Sequence, residues 1–150
     1  MRRSILILFS LICLMFAVGV GNVYTQTEEE AEVSGKYAEA RKILVPLAEA
    51  LEAFVEDITK AEDAKAVAGA LNTFTEAIKE LAPKLKEQVE KYPELKNEAT
   101  HPEELKPLFK RIEKGFQEMM KAFAKVNEYK DDPVVQEALK KYGEVMATFK

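Results

Sequence analysis

The chain has 150 residues, of which 47% are hydrophobic and 32% charged, enough for one domain with its own core and too apolar for a disordered chain. Only 6 Gly and 6 Pro punctuate it, so turns are few, and the abundance of Ala, Glu, Lys and Leu favours long helices. Formal net charge is −4, and leaving out Arg2 and Arg3 makes it −6 (20 basic against 26 acidic residues), which argues against nucleic acid as a partner because phosphate binding needs a positive footprint.

The first 25 residues read as a secretory signal. Arg2, Arg3 and Ser4 precede an apolar run from Ile5 to Val20, and Ala17, Gly19 and Gly21 offer small residues for cleavage between Gly19 and Gln26. The run is shorter than the roughly 20 apolar residues of a membrane span. An uncleaved leader serving as an anchor is the alternative, and it alone would bring the protein to a membrane. The polar consensus of twin-arginine export is missing around Arg2-Arg3. Cys13, the single cysteine, lies inside the apolar run behind Leu11 and Ile12, where lipoprotein signals place small residues, so lipidation is the less favoured alternative. Beyond the leader there is no thiol, hence no disulfide, thiolate ligand or cysteine nucleophile. The expected location is periplasmic or secreted.

Residues 26–33 form an acidic, unpatterned lead-in, and residues 34–150 the helical domain. Ser34 is a candidate N-cap for a first helix carrying Tyr37, Ala40, Leu44, Leu47, Leu51, Phe54 and Ile58 in steps of three and four, hence on one face. Asp63 favours the start of a second helix with Val67, Leu71, Phe74, Ile78, Leu81, Leu85, Val89 and Tyr92. That helix should stop at Tyr92-Pro93, because proline disfavours helical geometry in the residue before it. Thr100, Pro102 and Glu103 suggest a capping box opening a third helix, striped by Leu105, Phe109, Ile112, Phe116, Met119, Phe123 and Val126. Asp132 and Pro133 open a shorter fourth, with Val135, Leu139, Tyr142, Met146 and Phe149.

Four such stripes with short connections imply an all-α, antiparallel up-down-up-down four-helix bundle, with consecutive helices as neighbours around one apolar centre. The average spacing near 3.5 fits shallow-angle, coiled-coil-like packing. Lys79, Glu80, Lys84, Lys86, Glu87, Glu90 and Lys91 mark a solvated face. Pro46, Pro83 and Pro107 fall inside periodic stretches but off the stripes. Pro46 and Pro83 are expected to bend their helices, and Pro107 to leave a ragged first turn.

The stretch from Ile58 to Leu71 resembles the first inter-helix turn of the soluble periplasmic cytochrome b family. The run from His101 to Lys106 resembles the start of that family's third helix. The similarity extends over roughly half of the chain beyond the leader, and these two stretches are its motifs. The resemblance implies an export signal and a four-helix bundle. It also implies haem held between a methionine early in the first helix and a histidine late in the fourth. Ala48 stands near the first position and the fourth helix has no histidine, so Met146 lacks a partner; no Cys-x-x-Cys-His occurs either. No cofactor is expected.

The remaining candidates are few. His101, the only histidine, precedes a proline in a loop, where a surface position or a contact at the helix start is the ordinary reading. Glu98 and His101 have the Glu-x-x-His spacing of di-iron bundles, which need two copies projecting inward from helices. Acids are spread along outer faces with no pair set apart for acid–base work. Ser34, the one serine beyond the leader, is explained by capping. Met119 and Met120 with Phe116 and Phe123 could line an adaptable apolar groove, although Met119 reads better as core and Met120 as its flank. The expected catalytic, cofactor and metal sets are therefore empty. The function expected is that of an exported, non-enzymatic binding protein with a protein partner. The alternative is a carrier of an apolar small molecule or porphyrin. The short fourth stripe also leaves room for a homodimer.

Overall fold

The computed structural model describes residues 35–148, with Glu98 described by its backbone alone. The signal segment, the lead-in, Ser34 and Phe149 lie outside the described residues. Four helices account for most of the rest: α1 (Ala38–Lys60), α2 (Ala64–Lys91), α3 (Lys106–Glu128) and α4 (Pro133–Ala147). Three single 3-10 turns, Pro93–Lys96, Glu98–Thr100 and Glu103–Leu105, carry the chain from α2 to α3. The protein is an all-α four-helix bundle, with no strand among the described residues.

The stripes become the core. Ala40, Leu44, Leu47, Leu51, Phe54 and Ile58 of α1 are buried, as are Val67, Leu71, Phe74, Ile78 and Val89 of α2. From the later elements Leu105, Phe109, Ile112, Met119, Val126 and Val135 join them. The charged residues from Lys79 to Lys91 named above are all exposed. Phe54 sits centrally, its ring 4.8 Å from that of Phe74 on α2 and 5.6 Å from that of Phe123 on α3.

Several boundaries follow their local chemistry. Asp63 caps α2 by accepting a hydrogen bond from the Ala66 amide at 2.7 Å, and Asp132 caps α4 by accepting from Val134 at 3.0 Å. Pro133 occupies the first turn of α4, where its missing N–H costs nothing. Helix α2 ends at Lys91, one residue ahead of Tyr92-Pro93. Pro46 and Pro83 lie within helices that run through them unbroken, and Pro107 falls in the first turn of α3 behind a 3-10 turn.

The third helix starts later than the capping-box pattern indicates. Thr100 caps nothing: its hydroxyl donates to the carbonyls of Glu94 at 3.0 Å and Asn97 at 2.9 Å. The threonine is spent on tightening the connection, so α3 proper begins only at Lys106. Helix α1 begins at Ala38, and its first turn is held by a different device, described below.

The arrangement of neighbours also differs from the chain-order expectation. Helix α1 packs against α2 and α3, and α2 packs against α1 and α4. Contacts fix the sense of the α1–α3 pair. Arg111 meets Glu52 near the middle of α1, whereas Lys125 donates to the Thr59 carbonyl at 2.9 Å and Tyr129 to the Glu62 carbonyl at 3.2 Å near its end. Residue numbers rise together, so these two helices run parallel. Two features bring them close. Gly115 of α3 lies directly over Leu51, and the Arg111 guanidinium grips Glu52 through both carboxylate oxygens, at 2.7 and 2.6 Å. The backbones of α3 and α4 do not run closely side by side. They meet through the rings of Phe123 and Tyr142, 5.9 Å apart.

Candidate functional site

His101 is not on the surface. It is 5% exposed, and its ring stacks on Phe109 of α3 with centroids 3.8 Å apart and planes 15° from parallel. Its Nε2 lies 3.2 Å from the Leu95 carbonyl oxygen. Together with the buried Leu95 and Leu105, it closes one end of the bundle beneath the α2–α3 connection. The contact with the start of α3 foreseen from the sequence is present, with the ring as a packed wall rather than a solvated base. Glu98 and His101 both belong to this connection and not to inward helix faces, so the di-iron arrangement is not formed.

Ala48 is 1% exposed and packed in the core, and Met146 is half-buried at the end of α4. Neither offers the ligand pair that the resemblance implies. Acidic side chains sit mainly on outer faces, where many pair with a lysine one turn away: Glu39 with Lys42 at 2.8 Å, Glu80 with Lys84 at 2.9 Å, Glu137 with Lys141 at 2.9 Å, and Glu56 with Lys60. Such exposed pairs are screened by water and contribute little to stability. Among the described residues, no group of three metal-ligating side chains converges. No helix there is long and apolar enough to cross a membrane.

Met119 and Met120 divide as expected. Met119 is 4% exposed in the core, and Met120 is 53% exposed beside it. Phe116 and Phe123, half-buried on the same side of α3, flank Met120 one turn away in each direction. The result is an apolar strip along α3 in which Met120 faces solvent and Phe123 also meets Tyr142 of α4.

A second cluster, invisible to motif reading, fastens the start of α1 to the end of α2. Tyr37 and Tyr92 meet edge to face, with ring centroids 5.2 Å apart. Glu94, in the first 3-10 turn, accepts hydrogen bonds through one oxygen from the Tyr37 hydroxyl and the Lys36 ammonium, each at 2.6 Å. The same ammonium nitrogen lies 4.8 Å from the Tyr37 ring centroid and 5.6 Å from that of Tyr92. A second lysine, Lys91, places its nitrogen 5.2 Å from the Tyr92 ring centroid. Hydrogen bonds from Lys36 and then Tyr37 hold the Glu94 carboxyl far below its usual range, down to about 2. The bond to Glu94 correspondingly pushes Lys36 upward. The available hint was that Tyr37 and Tyr92 terminate their stripes at ends which antiparallel packing of α1 on α2 brings together.

The sign of the pH effect follows from the depressed carboxyl. Stability contributed by Glu94 is fully present above the ordinary value of 4.5 and is lost as pH falls toward about 2. Melting temperatures of the wild type and Glu94→Gln should therefore differ most at neutral pH. The gap should shrink steadily between pH 4.5 and 2. A gap independent of pH would show that the charge of Glu94 holds nothing.

Comparison of the chain with protein-family models, curated proteins and solved structures gives no match.

Proposed function

We propose that this is an exported helical bundle that works by binding another protein rather than by catalysis. The observation that carries the reading is Met120, 53% exposed on α3 and flanked along the helix by the half-buried rings of Phe116 and Phe123. Methionine is unbranched and polarisable, so a strip built around it adapts to the side chains of a partner. The groups that could otherwise do chemistry have structural work. His101 is stacked and hydrogen-bonded in the end cap, and many carboxylates are matched with lysines on the outer faces. Export is supported by the charged and apolar leader, Arg2-Arg3 followed by Ile5 to Val20.

The test is site-specific photo-crosslinking in cells producing the full chain, with the reactive residue at position 120 and, as a control, at the exposed Lys140 of α4. A discrete protein adduct at 120 and none at 140 is expected. Adducts at neither position, or equally at both, would overturn the binding reading. Fractionation of the same cells examines export separately. The exported fraction should contain a chain whose mass lacks the first 19–25 residues, and intact chain confined to the cytosol would refute export.

A further inference from the structure

We propose that Tyr37, Tyr92 and Glu94 form a receptor for a primary alkylammonium group, free or on a lysine side chain, which Lys36 fills from within the same chain. The receptor has the parts such a group needs. Two aromatic rings packed edge to face, their planes 64° apart, offer negative π faces, and one carboxylate oxygen stands at the edge to accept an N–H. The Lys36 nitrogen satisfies all three at once, at 4.8 and 5.6 Å from the two ring centroids and 2.6 Å from Glu94. Lys91, which precedes Tyr92 in the chain, also places its nitrogen 5.2 Å from the Tyr92 ring centroid.

Two features make Lys36 a removable occupant. Its side chain is 62% exposed, so little packing is lost when it swings away. It also precedes α1 and is not held by helical geometry. The receptor itself is better anchored: Tyr37 and Tyr92 are packed against the core, and Tyr37 donates to Glu94 independently of Lys36. The short bond to Glu94 selects ammonium groups that carry hydrogen over quaternary ones, which can use the rings alone. Because Lys36 is tethered, its effective concentration is in the millimolar range, and an external amine must compete with that. This inference stands apart from the binding strip on α3 and from export.

The experiment uses full chain with isotope-labelled tyrosine, read by NMR of the ring protons, in the wild type and in Lys36→Ala. Ligands are n-butylammonium, Nα-acetyl-lysine amide and tetramethylammonium chlorides, each against sodium chloride at equal ionic strength. Saturable shifts of the Tyr37 and Tyr92 rings in Lys36→Ala are expected with at least one of the first two. The tighter of those two names the source of the ammonium. Binding to the wild type should be at least tenfold weaker, as should binding to the double variant Lys36→Ala/Glu94→Gln and to tetramethylammonium. No saturable shift in Lys36→Ala, shifts reproduced by sodium chloride, or equal affinity of the wild type would each overturn the proposal. So would tetramethylammonium binding as tightly as the primary amines. Circular dichroism checks the fold, and Lys36→Gln, which keeps most of the aliphatic stem without the charge, replaces Lys36→Ala should helix be lost.

Discussion

Replacing Phe54 by alanine is expected to destabilise the bundle by about 3–5 kcal/mol, the range for emptying a large aromatic position in a packed core. The ring is 2% exposed and touches Phe74 on α2 and Phe123 on α3, so one truncation withdraws contact from three helices together. Two contributions add. The apolar surface of the ring loses its dry environment, and the neighbours, held by their own helices, cannot close the void fully. A domain of this size has a total stability on the order of 5–15 kcal/mol, so the loss is a large share of it. Urea unfolding followed by helical circular dichroism measures it. Met120→Ala, on the exposed flank, should change stability by less than about 0.5 kcal/mol. A similar cost at both positions would mean that the stripes do not meet in a shared interior.

Position 54 belongs to what the sequence states openly. Apolar residues at steps of three and four share a helix face wherever the helix lies, so burial along the stripes could be read before any fold was known. Asp63, Tyr92-Pro93 and Asp132-Pro133 act through backbone geometry and hydrogen bonds within a few residues, and they too were legible. Thr100 was misread because a hydroxyl serves a helix amide or a loop carbonyl equally well. The nearby carbonyls of Glu94 and Asn97 took it.

The order of neighbours was not legible for a different reason. A stripe says which side of a helix is apolar, not which other stripe it meets. The parallel pairing of α1 with α3 rests on contacts across 59 residues, such as Arg111 with Glu52. In sequence such a pair is two charges among many. The ammonium cluster is hidden the same way, because Tyr37 and Glu94 are 57 residues apart. His101 was half legible: before a proline it reads as a surface residue or a contact at the helix start, and the flat face of Phe109 with a carbonyl at hydrogen-bonding distance makes it the second, buried.

The parallel pairing makes Gly115 the second sensitive position. Glycine inside a helix ordinarily weakens it, and alanine there stabilises by about 0.5–1 kcal/mol. Gly143 of α4 should behave so, since a Cβ there meets nothing within 4 Å. At Gly115 a Cβ would stand 3.0 Å from the Cβ of Leu51. That atom is fixed to the α1 backbone and cannot rotate aside, so any larger residue must push the two helices apart. Gly115→Leu should cost about 3 kcal/mol, the upper part of the overpacking range, while Gly143→Ala raises the melting temperature. The separation should also open the two hydrogen bonds between Arg111 and Glu52 one turn away, since these need α1 and α3 at their present distance. Loss of that ion pair would be detected as a rise in the Glu52 carboxyl titration, because the Arg111 bond is what holds it below its usual range. A Gly115→Leu protein as stable as the wild type would show that α1 and α3 are not in close contact at this level of the bundle.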